Sequence, residues 1–406
     1  MLRLLTENTL DREEKIMAEW SEKSLGEIAE VTKLAGFEFT KYIEYNNDGE
    51  IIALRALNLR NGELDLTDIK RISREVSDGL TRSKIYKDDI LLTYTGNGYG
   101  DCAIIEENDK YHLAPNICKI VPNKEVVFPY YLYCYIRSKA FYNQMSNNMT
   151  GSGQPTIPMK TIRLLKIPVP EMRVQVNIAN MIWSLNQKIR NNKEINNNLE
   201  QQAQAIYQQM FIDNARSNWA EGTLSDIADI TMGQSPSGSS YNEDGTGTIF
   251  FQGRAEFGFR FPSVRLYTTE PKRMARSNDT LMSVRAPVGD LNVAHTDCCI
   301  GRGLAAIHSK SNHQSFVLYT MFSLKKQLDV FNGEGTVFGS INRNSLNDMP
   351  ILIPSDDILD EFERIVAPMD LTIRNNYDEN CRLQNICDTL LPRLMSGELD
   401  VSDIDI

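Results

Sequence analysis

The sequence has few of the residues and motifs that are typical of secreted, membrane and metal-binding proteins. Its 406 residues include only 7 cysteines and 4 histidines, and no CxxC pair occurs. Scattered cysteines in an odd number form neither a disulfide framework nor a cysteine zinc site, so a reducing compartment is expected. No run of about 18 apolar residues occurs, and the short apolar start leads into acidic residues. We therefore expect a cytoplasmic protein that does not contact a membrane.

Motifs for catalysis are missing as well. The chain contains no GxxxxGK(S/T) phosphate loop, no GxSxG elbow and no HExxH metal helix. Its histidines stand alone, without matching partners elsewhere in the chain: His112, His295, His308 and His313. A lone histidine is more often structural than catalytic. We accordingly assign no catalytic residue, no metal ligand and no bound cofactor.

Composition and charge indicate an ordinary globular protein with locally basic surfaces. Hydrophobic residues make up 41% and charged residues 24%, and the length suits two domains. The net charge of −11 would repel nucleic acid on average. Its distribution is uneven, however: residues 55–87 and 252–302 each hold eight basic and five acidic side chains, whereas residues 355–406 hold four basic and thirteen acidic ones.

The sequence contains the same series of motifs twice. "WSEKSLGEIAEV" begins at Trp20, and "WAEGTLSDIADI" begins at Trp219, 199 residues later. Three further pairs follow in the same order: "LLTYTGNGYGD" (91–101) with "LMSVRAPVGD" (281–290), "GSGQPTI" (151–157) with "GTVFGSI" (335–341), and "IRNN" (189–192) with "IRNN" (373–376). One four-residue match could be coincidence, but collinear matches are not. The chain is therefore predicted to contain two copies of one module, related by a pseudo-twofold axis.

Each copy ends in a long helix with an apolar seam. Heptad spacing places ten residues of the first helix on this seam: Ile178, Ile182, Leu185, Ile189, Asn192, Asn196, Leu199, Ala203, Ile206 and Met210. The positions 184 residues later are Phe362, Val366, Met369, Ile373, Asn376, Asn380, Leu383, Cys387, Leu390 and Leu394. Both seams carry two central asparagines (Asn192 and Asn196, Asn376 and Asn380), which favour the alignment that satisfies their amides.

These seams predict that the two helices pair as an antiparallel coiled coil. A helix of about 33 residues is roughly 50 Å long and would separate the two domains. The alternative is that each helix packs only on its own domain.

The globular halves are predicted to be α+β. In the first half, 51–59, 90–94, 102–105 and 117–121 are predicted as strands, and 126–143 as a helix. In the second half the corresponding strands are 248–252, 281–284 and 305–307, with a helix near 316–331.

The loops contain the residues that could contact DNA: "LTRSK" (80–84), "TYTGNGYG" (93–100), "GQSPSGSSYN" (233–242), "FQGR" (251–254) and "PKRMAR" (271–276). Arginine and lysine neutralise phosphates, while asparagine, glutamine and arginine read base edges. For any one of these residues a solvated turn is the simpler interpretation.

Together these motifs resemble the specificity subunits of Type I restriction-modification enzymes. The resemblance rests on the "LGEIAEV" and "LSDIADI" openings, "GQSPSGSSY", "SVRAPVGD", the "IPVP" and "ILIP" segments before each helix, and the closing "LLPRLMSGELDV". Each motif is weak alone, but their order and duplication are specific, and they run from Trp20 to the C-terminus. Residues 1–19 precede the usual family opening and have no match in the second half.

The resemblance implies a prokaryotic, cytoplasmic, non-catalytic DNA reader with two target-recognition domains, each binding half of a split site on double-stranded DNA. It also implies two methyltransferase subunits that use S-adenosylmethionine as partners, and motor-nuclease (restriction) subunits that use ATP and Mg²⁺. The expected domains are 20–173 and 214–357, with spacer helices at 174–213 and 358–406 and an N-terminal extension at 1–19.

On this basis we select DNA-contacting residues for each half-site. For the first they are Arg55, Lys70, Arg71, Arg74, Arg82, Lys84, Ser152 and Gln154. For the second they are Gln252, Arg254, Lys272, Arg273, Arg276, Arg285, Arg302 and Ser340. One rival interpretation is a fused methyltransferase. The chain, however, lacks the (D/N)PP(Y/F) motif that such an enzyme needs. Another, a coiled-coil scaffold that binds only proteins, predicts no sequence-selective DNA binding.

Overall fold

The computed structural model describes residues 20–150, 155–333 and 339–402. The expected N-terminal extension, residues 1–19, lies outside this range. The chain forms two compact units: the first contains the described residues up to Arg190 and from Glu379 onward, and the second is Asn191–Asp378. None of the helices in the described part of the chain is long and apolar enough to cross a membrane.

The first unit is built on two four-stranded sheets, with strand orders β2-β11-β8-β9 and β6-β3-β10-β7, and two strand pairs, β1-β12 and β4-β5. Among the strands that the structure describes here, all pairings are antiparallel except β3 with β10, which is parallel. The strands are β1 (Ser21–Ser24), β2 (Ala29–Lys33), β3 (Ile51–Leu54), β4 (Leu59–Arg60), β5 (Glu63–Leu64), β6 (Lys70–Ile72), β7 (Lys84–Ile85), β8 (Ile90–Thr93), β9 (Cys102–Ile104), β10 (Tyr111–Leu113), β11 (Ile117–Pro122) and β12 (Lys166–Val169).

The α-helices that begin in the described part of this unit are α1 (Leu25–Ile28), α2 (Gly36–Tyr42), α3 (Arg74–Gly79), α4 (Pro129–Ile136), α5 (Lys139–Asn147), α6 (Met159–Leu164) and α7 (Met172–Tyr207). Two predictions need correction. The helix predicted at 126–143 is divided, because the Ser138 hydroxyl accepts the Phe141 N–H and starts α5 as its N-cap. The strand predicted at 51–59 ends at Leu54, because the Asn58 side chain accepts the Arg55 N–H and stabilises a 3₁₀ turn.

The second unit repeats this plan. Its sheets have the strand orders β14-β22-β19-β20 and β15-β17-β16-β21-β18, beside the pair β13-β23. Here too a single pairing among the described strands is parallel, β16 with β21. The strands are β13 (Ala220–Thr223), β14 (Ala228–Met232), β15 (Tyr241–Asn242), β16 (Thr248–Phe251), β17 (Leu266–Thr268), β18 (Met274–Ala275), β19 (Thr280–Ser283), β20 (Leu291–Val293), β21 (Cys298–Ile300), β22 (Leu304–Ser309) and β23 (Pro350–Ile353).

The helices that begin in the second unit are α8 (Leu224–Ile227), α9 (Gln314–Ser323), α10 (Lys325–Asp329), α11 (Arg343–Asn347) and α12 (Asp356–Met395). The helix predicted near 316–331 is therefore two helices. The opening motifs fold alike: β1-α1-β2 recurs 199 residues later as β13-α8-β14. In both copies an acidic side chain accepts the N–H of the residue before the short helix, Glu27 from Ser24 and Asp226 from Thr223. The α+β class and the duplication are confirmed.

The long helices α7 and α12 contribute to both hydrophobic cores. In the first unit, Ile178 and Ile182 of α7 and Leu394 of α12 are buried in one cluster with Tyr131 and Phe141. In the second unit, Phe362 and Ile373 of α12 join Ala203 and Tyr207 of α7 in another. The residues of the two predicted seams are buried or half-buried throughout. Each helix thus packs on the domains as well as on its partner.

The contacts within each unit show that α7 and α12 run antiparallel. In the first unit, Lys188 pairs with Glu379 at 3.1 Å, and the Asn177 amide donates to the Val401 carbonyl just after α12. In the second unit, the Asn196 amide donates to the Ile373 carbonyl at 3.2 Å, and Asn376 donates to Asn196 at 2.8 Å. The predicted antiparallel pairing is confirmed.

Two of the four seam asparagines therefore form the predicted polar layer. Asn196 is 5% exposed, so its bonds to Asn376 and to the Ile373 carbonyl satisfy an otherwise buried amide. Asn192 is also buried, and Asn380 is half-buried. Their part in fixing the register stays a prediction.

Candidate nucleic-acid interface

Several strand ends of the second unit meet at one edge. Because β16 and β21 are parallel, the segments that follow them, 252–254 and 301–303, lie side by side. The Gly301 N–H donates to the Phe251 carbonyl at 2.8 Å. The segment after β14 joins them, since the Gln234 N–H donates to the Ile300 carbonyl at 3.0 Å. We call the segments 233–235, 252–254, 284–286, 301–303 and 339–340 the second loop cluster.

The remaining two segments are held by backbone hydrogen bonds. The Val284 N–H donates to the Gly303 carbonyl at 2.9 Å, and the Ile341 N–H donates to the Val284 carbonyl at 3.1 Å. Arg285 and Ser340 form an isolated antiparallel bridge. Two residues chosen 55 positions apart in the sequence are therefore direct neighbours in the folded chain.

Glycine makes this close approach possible. A Cβ atom on Gly233 would collide with the Gly301 carbonyl, and one on Gly301 would lie 2.9 Å from the Gln252 Cα. Side chains at these positions would push the loops apart. The glycines of "GQS" and "GRG" are thus required by backbone packing, and the side chains that follow Gly233 and Gly301, those of Gln234 and Arg302, are exposed.

The second loop cluster presents six exposed side chains, three cationic and three neutral polar: Gln234, Gln252, Arg254, Arg285, Arg302 and Ser340. Arg254 forms an ion pair with half-buried Asp290, which orients its guanidinium. Arg302 is fixed at its backbone, because its N–H donates to the Ser235 hydroxyl at 3.3 Å. Five of the eight residues predicted for the second half-site belong to this surface.

The first unit forms the same arrangement from different residues. Its loop cluster consists of segments 54–55, 94–96, 114–116 and 155–156. The Ala114 N–H donates to the Leu54 carbonyl at 3.0 Å, and the Tyr94 N–H donates to the Asn116 carbonyl at 3.2 Å. Thr95 and Thr156 bridge as Arg285 and Ser340 do. The backbone geometry is thus duplicated even though the side chains differ.

The first loop cluster presents less positive charge than the second. The Thr95 and Thr156 hydroxyls share a 2.6 Å hydrogen bond, where the second cluster has Arg285 and Ser340. Arg55, whose side chain is 20% exposed, pairs with Asp68 at 3.1 Å and also donates to the Asp68 carbonyl. The predicted Ser152 and Gln154 lie outside the described residues.

The other residues predicted for the first half-site are dispersed. Strand register places Lys70 beside Ala53 and Lys84 beside His112, so Lys70 and Arg82 lie towards the edge where β3 and β10 end. Arg74 lies at the opposite edge, where its N–H donates to Glu50, which precedes β3. Arg71 is half-buried and donates to the Gly49 carbonyl at 3.3 Å.

Ion pairing and strand direction distinguish the remaining candidates. Lys84 pairs with Asp78 at 2.5 Å, and this hydrogen bond raises the pKa of the lysine. Lys272 and Arg273 precede β18, which is antiparallel to β21, so they lie towards the second loop cluster. Arg276 follows β18 and lies away from it, 3.2 Å from the His308 ring.

Sequence reasoning missed Gln234, Thr95 and Thr156 as members of these surfaces. The alignment of the two halves contained the information for the threonines: Thr95 is collinear with Arg285, and Thr156 with Ser340. The predicted residues were chosen mainly among charged and amide side chains, so the two threonines were left out. Gln234 lies in a recognised loop, but only the hydrogen bond to Ile300 places it in the cluster.

Such surfaces suit contact with a DNA duplex. Arginine and glutamine side chains form paired hydrogen bonds with base edges, and close-packed glycine loops bring backbone N–H groups near phosphates. In the part of the chain that the structure describes, no group of three or more His, Cys, Asp or Glu side chains is placed to hold a metal ion.

Comparisons with known proteins point the same way. The family model described as "Type I restriction modification DNA specificity domain" matches residues 17–201 and 216–378. A putative type I restriction enzyme MjaX specificity subunit from Methanocaldococcus jannaschii is 28% identical over 374 residues, which are 86% of this chain and 87% of that protein. The HindI specificity subunit of Haemophilus influenzae is 22% identical over 94% of this chain and 100% of its own length.

A solved structure shares the fold. The crystal structure of the Type-I restriction-modification system S subunit from M. genitalium superposes with a TM-score of 0.61 at 15% identity. The similarity covers 92% of this chain and 96% of that one.

Proposed function

This chain belongs to the Type I restriction-modification DNA specificity family, and we propose that it reads a bipartite DNA site, one half with each unit, and positions methyltransferase subunits there. As a specificity subunit it is the DNA-recognising, non-catalytic part of a Type I enzyme, whose other parts are methyltransferase and restriction subunits. The proposal concerns the division of the site and the placing of the partners.

The observation that carries the proposal is the duplicated loop cluster. Each unit brings the segments after its two parallel strands together with a bridged pair, Thr95 with Thr156 and Arg285 with Ser340. Two units that share a backbone arrangement but carry different side chains would recognise two different DNA sequences. An asymmetric, split site follows.

We assign base reading chiefly to the side chains at the centre of each cluster. In the second unit these are Gln234, Gln252, Arg254, Arg285, Arg302 and Ser340. In the first unit they are Arg55, Thr95 and Thr156. Ser152 and Gln154, which lie outside the described residues, are assigned the same role from the sequence alone. The more peripheral Lys70, Arg71, Arg74, Arg82, Lys84, Lys272, Arg273 and Arg276 would contact phosphates, which fix orientation without reading sequence.

The long helices supply the surface for the partner subunits. Apolar side chains are exposed on both helices: Trp183 (48%) and Ile386 (43%) in the first unit, Ile195 (45%) and Leu371 (57%) in the second. Two methyltransferase subunits, one for each copy of the module, would cover them. S-adenosylmethionine would bind to those subunits, and ATP and Mg²⁺ to the restriction subunits.

The first experiment is methylome sequencing of a host that expresses this chain with its methyltransferase, against the same host without the chain. We expect a bipartite methyladenine motif that disappears without the chain. Arg302→Ala should relax one base position of one half-site, whereas the exposed Arg216→Ala, before β13, should not. A contiguous motif would refute the division of the site. If an active methyltransferase gives the same methylation with and without the chain, the alternative of a scaffold that binds only proteins is favoured.

A further inference from the structure

A buried arginine, outside the loop clusters, joins the second recognition domain to both long helices. Arg260 lies in the segment between β16 and β17 and is only 4% exposed. The same segment carries Gln252 and Arg254 of the second loop cluster at its beginning. A displacement of Arg260 would therefore be transmitted along a short stretch of chain to the DNA-facing side chains.

The Arg260 guanidinium contacts three separate helices within the second unit. It forms an ion pair with Glu200 of α7 at 3.0 Å and another with Asp370 of α12 at 3.0 Å. It also donates to the Tyr319 hydroxyl of α9 at 3.1 Å, and this hydroxyl donates to Asp370 at 2.9 Å. Its planar fork of donors suits this arrangement, which a lysine ammonium cannot reproduce.

The backbone around Arg260 is anchored as well. The Val293 N–H of β20 donates to the Arg260 carbonyl at 2.8 Å, and the Asn292 amide donates to the Gly258 carbonyl at 2.9 Å. The next residue, Phe261, packs on Tyr377 of α12 with ring centroids 4.9 Å apart. The segment is thus attached to the recognition sheet and to α12 at once.

Packing beside this anchor is incomplete. A cavity of about 480 Å³ lies next to Arg260 and Phe261, and α12 lines it with Glu363, Ala367, Asp370 and Leu371. Close-packed side chains would fix the domain on the helix by shape alone. At this open pocket, directional ion pairs add to the apolar core in fixing the orientation. A buried ion cluster is weak evidence of stability, but it selects one arrangement among alternatives.

We propose that Arg260 is a positioning residue that fixes the orientation of the second loop cluster on the helix pair, and so enforces one spacing between the half-sites. This rests on the proposed bipartite function. One added base pair displaces a half-site by about 3.4 Å along the duplex and rotates it by about a tenth of a turn. A rigidly held domain rejects such a change, and a loosely held domain tolerates it.

The test uses the purified complex with its methyltransferase subunits and duplexes with both half-sites at the natural spacer, or with one base pair added or removed. The wild type is expected to prefer the natural spacer by at least about tenfold. Arg260→Lys should reduce this preference to about threefold or less, with binding to the natural duplex nearly unchanged. The control is Arg265→Lys, on the same segment, where the exposed side chain pairs with Glu243 and Glu256.

A neutral triple variant, Arg260→Met with Glu200→Gln and Asp370→Asn, separates positioning from stability because it leaves no unpaired buried charge. It should broaden the spacer profile as Arg260→Lys does, with an unchanged denaturation midpoint. A wild-type profile in both variants, or an equal loss of binding at every spacer, would overturn the positioning role. A wild type without any spacer preference would also overturn the positioning role, whereas wild-type binding that does not change when one half-site is altered would refute the bipartite function itself.

Discussion

At the scale of single residues, the two loop clusters differ in the charge that they carry on one backbone plan. Exposed Arg285 and Arg302 in the second unit stand where the first unit has buried Thr95 and half-buried Pro115. Arg55 is held by Asp68 rather than freely presented. The second half-site would therefore be bound with more electrostatic attraction, and the first with more neutral hydrogen bonds and apolar contact.

Gly233 offers the sharpest test of the loop geometry. Gly233→Ala places a methyl group against the Gly301 carbonyl, so the "GQS" and "GRG" segments must separate. We expect a loss of about 1–3 kcal/mol in the free energy of unfolding, as for other overpacked sites. Recognition of the second half-site should weaken while the first is unaffected.

The matched control is Gly238→Ala on the same loop, where an added Cβ meets nothing within 4 Å. Chemical denaturation and binding to duplexes with one altered half-site measure both effects. Equal behaviour of the two variants would show that close glycine packing does not shape this surface.

At the scale of elements, the repeated "IRNN" segment attaches each long helix to its own domain. Arg190 pairs with Glu106 at 2.8 Å in the first unit. Arg374 donates to the Asn278 side chain at 2.7 Å in the second unit and also bonds to the His295 carbonyl. The isoleucine before each arginine is buried. One four-residue motif thus supplies a seam isoleucine, an arginine that binds the domain and one seam asparagine.

The asparagine layer between α7 and α12 predicts a non-additive response. Asn196→Leu leaves the Asn376 amide without its 2.8 Å acceptor, so it should cost about 1–3 kcal/mol of unfolding free energy. Asn196→Leu with Asn376→Leu should recover most of this, because two apolar side chains meet. Denaturation of both variants, with exposed Asn375→Leu as control, gives the coupling. Additive losses would refute the layer.

Glu363 of α12 predicts a pH dependence of stability. Its carboxylate accepts the Phe316 N–H at the start of α9, yet burial raises its pKa above the ordinary value of 4.5. The folded state therefore binds this proton more tightly than the unfolded state, so the contribution of Glu363 to stability falls as pH rises through the raised pKa. Glu363→Gln retains an acceptor without the charge.

We expect Glu363→Gln to be more stable than the wild type at neutral pH, with an advantage that shrinks as the pH approaches 4.5. Denaturation midpoints across this range measure it. The control is Glu361→Gln, an exposed glutamate on the same helix. An advantage that grows in acid would contradict the expected sign.

At the scale of the whole molecule, a net charge of −11 coexists with a DNA-binding role because charge is unevenly distributed: residues 55–87 and 252–302, which include several loop-cluster residues, each hold eight basic and five acidic side chains. The rest of the surface repels the duplex, so non-productive contacts are weakened and binding depends on a few cations. The dependence of affinity on salt therefore reports how many of them touch phosphates.

Lys272→Ala should weaken binding to every sequence alike and reduce the slope of log affinity against log salt by about 1. We expect both effects because Lys272 is exposed and precedes β18, so it lies towards the second loop cluster but outside it. The measurement is a salt titration of the methyltransferase complex on matched and mismatched duplexes. The control is Lys310→Ala, whose side chain pairs with Asp229 outside the loop clusters and whose loss should leave the slope unchanged. A change in base preference would instead assign Lys272 to base reading.

Much of this architecture could be predicted from the sequence. The duplication, the apolar seams and the polar layer are periodic patterns along one dimension, and side chains at fixed spacing on a helix share a face wherever that helix packs. Helix boundaries were less predictable, because single side chains such as Ser138 decide where a helix begins.

The sequence by itself determined a duplicated α+β chain, an antiparallel helix pair and loops suited to DNA. Only the tertiary structure decided which loop residues act together, because that depends on parallel pairing between strands far apart in sequence, such as β16 with β21. Long-range packing also brought Thr95 to Thr156 and Arg285 to Ser340. It also buried Arg260 among Glu200, Tyr319 and Asp370, since a residue's partners are set by long-range packing rather than by its neighbours in the chain.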